Sequence, residues 1–241
     1  MAPALTLAIP YYNAPRMLER QLEEFERYPS GVRLHIVDDG SEHAPDLSGC
    51  PIPHRHWRID GDEPWRHHVA RNIAMRDARG LCLVTDMDHV LPALYAAAIV
   101  RRLSLFKRGQ AYRARRIWPN GTDVGKRHPN SYFIDAHDYW AAGGYDEQVA
   151  GYYGTDAAFA RQLRRAGITI RDLDSIALMW HEGVVDDACA SLPRKGSTYH
   201  ARQHPAIRAR VSRAPKPEPS DVFRYPYRMI EDTTDEDDDP N

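Results

Sequence analysis

Residues 81–91 read LCLVTDMDHVL. Four apolar residues run straight into two aspartates, Asp86 and Asp88, that are one residue apart. A short apolar run after a glycine (Gly80) has the length and bounds of a buried strand. Side chains two apart in extended chain share a side, so both carboxylates are expected to face one place at the strand's end. Carboxylates beside buried chain are costly unless something uses them. The stretch therefore predicts an interior strand that delivers a working pair of acids.

The flanks fit that reading. A helical pattern runs from about residue 64 to 79 and stops at Gly80. The next helix spans PALYAAAIVRRLSLFKR, with Pro92 near its start and Gly109 beyond its end. Upstream, LTLAI (5–9) is a short buried strand ending at Pro10. Asn13 is placed to cap a helix in which Leu18, Leu22 and Phe25 recur at spacings of four and three. VRLHIV (32–37) is a second strand, broken by Asp38-Asp39-Gly40-Ser41, and HRHWRI (54–59) a weaker third. Strand and helix in alternation imply an α/β fold, a mostly parallel central sheet with helices on both faces. Such sheets bind ligands at the carboxyl ends of their strands. Tyr11-Tyr12-Asn13, Asp38-Asp39-Gly40-Ser41 and Asp86-Met87-Asp88 all fall there.

The second half is less regular. QAYRARRIW is expected to be a strand with exposed arginines, and residues 119–130 a loop. TDAAFARQLRRAG is a helix with Phe159 and Leu163 inward. ITIRDL and SIALMW are two further strands, the second ending at His181. Residues 1–213 are expected to form one domain of two halves, 1–108 and 109–213. Residues 214–241 are a Pro-rich, then acidic, tail that wraps the domain or is disordered.

Composition narrows the function classes. No apolar run reaches the roughly 18–20 residues of a membrane span, and residues 1–13 lack the basic flank and long apolar centre of a signal peptide. Cys50, Cys82 and Cys189 are widely spaced with no CxxC, which argues against a disulfide framework or zinc knuckle and for a reducing cytoplasm. The net charge is −2, but residues 231–241 carry seven acids and no Lys or Arg. The remainder holds 27 acids against 32 bases. A solvated acidic tail is the plain interpretation; a body that meets a polyanion is the other.

Asp86 and Asp88 are oxygen ligands of the kind that suit Mg²⁺ or Mn²⁺, although one DxD alone equally describes two solvated loop acids. A neutral His181 imidazole would complete such a site and tilt it toward Mn²⁺. Asp39 has the chemistry to accept from the N–H of a uracil-like base, and Tyr12 offers a ring to stack on it. A turn is the ordinary use of Asp38-Asp39-Gly40-Ser41. Arg71 sits on a helix facing the sheet's carboxyl edge, in reach of a diphosphate, or else lies along the surface.

Six segments in order resemble the GT-A glycosyltransferases, family 2 type. AIPYYNAPRMLERQLEEF is similar to the family's opening strand and helix, and HIVDDGSE to its nucleotide-binding turn. VARNIAMRDARG is similar to its ARNxG…ARG segment, with Ala74 where glycine is usual. LVTDMDHVL resembles the DxD strand, and ALMWHEG the late strand with a metal-binding histidine. AAGGYDEQVAGYYGTDAAFARQLRRAG resembles the acceptor-side segment of galactosyltransferase-like members. The resemblance spans residues 5–183.

It implies a GT-A domain that moves a sugar from a nucleotide diphosphate sugar, UDP favoured, to a hydroxyl acceptor. Pro10, Tyr12, Asp38 and Asp39 would line the nucleoside pocket, with Arg71 approaching the nucleotide. Asp86 would touch the ribose or the metal, and Asp88 and His181 would bind the metal. Gly143, Gly144, Tyr152 and Tyr153 would lie on the acceptor side. Asp156 stands where the family's second acid deprotonates the acceptor in inverting members, but it is equally a helix cap. Thr155 replaces the first acid, and Tyr152-Tyr153 replaces Trp-Gly. A retaining outcome would need no such base. Three alternatives stay open. One is a nucleic acid acceptor, such as a hydroxylated base, met by the basic stretches 107–118, 125–130 and 200–213. Another is a GT-A module that binds a sugar or partner without catalysis. A nucleotidyltransferase is the third, disfavoured because PYYNAPR follows the first strand where a Gly-rich basic loop is usual.

Overall fold

The computed structural model describes residues 4–63, 66–188 and 200–234. A nine-stranded sheet runs through the molecule in the order β5-β8-β6-β7-β4-β1-β2-β3-β9. Its centre is parallel: β1 (Leu5–Tyr11) lies between β2 (Val32–Asp38) and β4 (Leu81–Val84), and β3 (His54–Ile59) follows β2. β7 (Tyr132–Asp135) joins β4 antiparallel, and β6 (Gln110–Ile117) and β8 (Thr169–Trp180) extend the sheet on that side. The two-residue β5 (His89–Val90) closes one edge against β8.

Central strands are buried on both faces, which is why they read as unbroken apolar runs. Leu5, Leu7, Ile9, Leu81 and Leu83 pack on one face against Met17, Leu18 and Phe25 of α1 (Pro15–Phe25) and Ala96 and Ile99 of α3 (Ala93–Val100). Ala8, Val37, Cys82 and Val84 pack on the other against Val69, Ile73 and Met75 of α2 (His67–Met75). Tyr139 of α4 (Ala136–Ala141) and Phe159 and Leu163 of α5 (Ala157–Arg165) cover the same face. No helix among the described residues is long and apolar enough to cross a membrane.

Local expectations needed four amendments. Asn13 does not cap α1; it adopts a left-handed conformation (φ 44°) and ties two loops, its N–H donating to Ser41 Oγ and its Oδ1 accepting from the His43 N–H. The 92–108 helix ends at Val100 and gives way to a short 3₁₀ turn. ITIRDL and SIALMW are one strand, β8, with an irregularity opposite Ala114/Arg115. The tail is built into the domain: α6 (Pro205–Arg213) precedes β9 (Tyr227–Asp232), which pairs antiparallel with β3 at the far edge. Residues 235–241, most of the acidic run, lie outside the described residues, as does Cys189.

Candidate functional site

The carboxyl ends of β1, β2 and β4 gather the clusters expected there. In the β2/β3 register Asp38 stands opposite Arg58, and the two form an ion pair at 2.6 Å. Asp38 Oδ1 also accepts from the Ser41 N–H at 2.8 Å, so this fully buried acid builds the turn that follows it. Gly40, inside that turn, has φ 73°, and a Cβ there would come within 1.9 Å of the Gly61 carbonyl. Asp39 is held by Arg66, a residue the sequence reading passed over. The Arg66 Nε and backbone N–H reach its two carboxylate oxygens at 2.8 and 3.2 Å. Burial pushes the Asp39 carboxyl up to about 7, against the pull of Arg66. Arg66 Nη1 and Nη2 donate to the Asp60 and Gly61 carbonyls, which leaves this buried cation fully engaged. Pro10 and Tyr12 border the same cluster, both half-buried.

Arg71 projects from α2 and is wholly buried. Its guanidinium lies over the Tyr145 ring at 5.0 Å and pairs through Nη2 with Asp86 Oδ1. Its Nε and Nη1 have no hydrogen-bond partner among the described residues. The other Asp86 oxygen is 3.4 Å from His128 Nε2. Asp88 faces elsewhere: Oδ1 meets His89 Nδ1 at 2.7 Å, and Oδ2 accepts from the Trp180 indole N–H at 3.0 Å. Burial opposes ionisation of Asp88, but His89 beside it, His128 and the two hydrogen bonds outweigh burial and hold the carboxyl well below the usual range.

His181 closes the centre from 93 residues away. The β5/β8 ladder pairs His89 with Trp180, so Asp88 and His181 stand directly opposite, and the His181 N–H donates to the Asp88 carbonyl at 2.9 Å. Burial, with help from Arg20, lowers the His181 imidazole, which favours the neutral, ligating form. His181 Nδ1 is buried without a partner among the described residues. Imidazole and carboxylate are donors that a divalent cation takes, so the residue types fit such an ion, although both Asp88 oxygens are engaged by His89 and Trp180. The expected set of three is not gathered, because Asp86 is turned to Arg71 and His128. Among the described residues no group of three or more His, Cys, Asp or Glu side chains is arranged to hold an ion.

The second carboxylate centre comes from α5. Asp156 stands at the start of that helix without making a side-chain cap, which removes the capping explanation. Its Oδ1 accepts from Asn130 Nδ2 at 2.6 Å, and its charge acts on both Arg71 and Asp86. Thr155, in the place of an acid, is buried, with its hydroxyl 2.8 Å from His68 Nε2 on α2. Tyr152 and Tyr153 are half-buried and meet His204 and His200 edge-on, with ring centroids at 4.7 and 5.2 Å.

Gly143 and Gly144 form a turn whose shape is set by packing. A Cβ on Gly144 would fall 2.7 Å from Asn72 Oδ1, and one on Gly143 would strike Pro217. Asn72 is the buried link between the halves. Its amide donates to the Tyr145 carbonyl and Glu147, and its Oδ1 accepts from the Tyr139 hydroxyl and the Tyr145 N–H. The basic run 200–213 presents less free charge than its composition suggests, since Arg210 clamps the buried Asp146 at 2.6 and 3.0 Å.

No family model matches the chain, and no curated protein does. Solved structures do. The chain is similar to S. aureus TarS 1-349, at 13% identity and a TM-score of 0.60, over 74% of this chain and 59% of that one. It is similar to GalNAc-T7, solved with UDP, GalNAc and Mn²⁺, at 13% identity and a TM-score of 0.53, over 73% and 42%. The mannosyltransferase PcManGT from Pyrobaculum calidifontis, solved with GDP-Man and Mn²⁺, gives 16%, 0.50, 74% and 57%. At such identities the likeness establishes the fold alone: the chain has the GT-A fold and spans less than two thirds of the length of those structures.

Proposed function

We propose that the protein is a glycosyltransferase of the family 2 type that moves a hexose from a nucleotide diphosphate sugar, with UDP the favoured nucleotide, to a hydroxyl acceptor. The observation that carries this reading is the opposition of Asp88 and His181 across the β5/β8 ladder, beside the Arg71–Asp86 pair. Pro10, Tyr12 and Asp39 would receive the nucleoside, with Asp38 shaping the turn beneath it. Arg71, with two unengaged nitrogens, would orient a diphosphate oxygen. Asp88 and His181 would hold Mn²⁺ or Mg²⁺, with Asp86 as the third ligand if the nucleotide draws it from Arg71. Such a cation, when bound, offsets negative charge on the departing diphosphate.

Asp156 would take the acceptor proton and give an inverting outcome, with the Asn130 amide fixing its carboxylate. The 141–167 segment, with Gly143, Gly144, Tyr152 and Tyr153, would form the acceptor side as in galactosyltransferase-like members. The solved relatives lend support: TarS has been captured with UDP-GlcNAc, and GalNAc-T7 with UDP and Mn²⁺. Cys50 and Cys82 are free thiols, which suits a reducing, cytoplasmic setting. The test is calorimetric titration of UDP and GDP with and without Mn²⁺, followed by donor hydrolysis. The expected result is Mn²⁺-dependent binding that His181→Ala weakens by at least about tenfold. The hydrogen bonds that join His181 to Asp88, Val184 and Val185 run through its backbone, which the substitution keeps. Binding that ignores both Mn²⁺ and this substitution would refute the reading.

A further inference from the structure

A cleft of about 640 Å³ opens between β6, β8 and the loop that joins β6 to β7. The β6/β8 register jumps there, with Ala114 opposite Leu173 but Arg115 opposite Ala177. In regular strand, neighbours point to opposite faces. At this irregularity Arg115 and Arg116 both line the cleft, together with Arg113. Irregularities of this kind re-aim side chains next to functional sites. The loop adds Lys126 and Arg127, which makes five cations against three carboxylates, Asp123, Asp172 and Asp174.

The burial order is the reverse of an ordinary charged surface. The Arg127 and Arg113 side chains are 18% and 31% exposed, whereas the aspartates they pair with, Asp172 and Asp174, are 50% and 80% exposed. Long cations normally reach outward for water; here they sit deeper than their counter-ions. Exposed ion pairs contribute little, so an incoming anion displaces rim aspartates at small cost. Arg113 Nε is buried with no partner among the described residues. The cleft also adjoins the candidate centre, since the Arg116 guanidinium lies 4.4 Å from the centroid of the Trp180 ring, whose N–H donates to Asp88.

We propose that this cleft is an acceptor subsite for an oxyanion, so that the hydroxyl acceptor is a phosphorylated or carboxylated sugar or polyol. The assignment rests on the transferase reading for the word acceptor; the anion preference stands on the cleft alone. The experiment titrates the full chain with glucose 6-phosphate, glucuronate and glucose at constant ionic strength, and separately with UDP and with GDP in the presence of Mn²⁺. We expect one or both anions to bind at least about tenfold more tightly than glucose, as bidentate arginine contacts to oxyanions allow. The tighter of the two names the source. Arg127→Gln should weaken anion binding several-fold. Asp174→Asn removes a competing, exposed carboxylate and should tighten it, a gain that damage to the fold would not produce. Equal binding of glucose and the anions, with UDP binding intact, overturns the cleft and leaves the transferase. Anion binding without any binding of UDP or GDP overturns the transferase and leaves the cleft. Anion affinity that neither substitution moves refutes the assignment to these residues.

Discussion

Asn72→Ala removes the amide that joins α2 to the Gly143-Gly144-Tyr145 turn. Asn72 makes four hydrogen bonds at 2.6–2.9 Å and is fully buried. Truncation leaves three groups without that partner: the Tyr139 hydroxyl and the N–H and C=O of Tyr145. Glu147 is spared, because the Phe223 and Arg224 N–H groups still donate to it. A buried polar group left unsatisfied costs about 1–3 kcal/mol. Three groups near the lower end, with a water entering the space, total about 3–4 kcal/mol. For a chain of this size each kcal/mol shifts Tm by about 2–4 °C, so calorimetry should show a fall of about 6–16 °C. Tyr145 lies under Arg71, so nucleotide binding should weaken as well. A Tm within about 2 °C of the parent would refute the claim that these bonds join the halves.

Other outcomes follow from single contacts. His35 is buried with Nδ1 on the Ala74 carbonyl, and burial lowers its imidazole from 6.5 to about 4. Its contribution to stability is therefore complete above pH 6.5 and is lost as pH falls toward 4, a span worth about 3 kcal/mol. Tm measured against pH should fall less steeply over that range in His35→Gln; an unchanged slope would remove His35 as the cause. Asp156→Asn keeps the size of the side chain and should lower kcat by about 10²–10⁴-fold in a transfer assay. Full activity would exclude it as the base. Arg210→Met takes the cation from Asp146, which is 2% exposed, and should cost about 2–3 kcal/mol, less than a fully buried pair because Arg210 is part-exposed and the Gln148 N–H still donates to the carboxylate. Limited proteolysis should then cut near α6; resistance equal to the parent's would show that the clamp is not what docks that helix.

Sequence periodicity alone determined the elements that bury a face. Leu5, Leu7 and Ile9 on one side and Ala8 on the other, or Phe159 and Leu163 along α5, declare strand and helix because burial imposes periods of 2 and 3.6. It also placed Tyr12, Asp39, Asp86 and Asp88 at strand ends, since polar residues that end an apolar run mark where a strand leaves the core. The edge strand β9 was invisible by the same logic: all but one of its six residues are exposed, so no face is buried to leave a pattern. Only tertiary structure chose the partners. Any of many arginines had the chemistry to neutralise Asp39, Asp86 or Asp146, and register and packing selected Arg66, Arg71 and Arg210. Nothing local tells Asp88 that it will face His181, because a two-residue strand pairing with the end of β8 depends on the whole sheet being assembled between them. Which acids are buried and paired, and which stay available for a ligand, is a property of long-range contacts whose cost and gain are set by desolvation, and desolvation does not exist until the chain has folded.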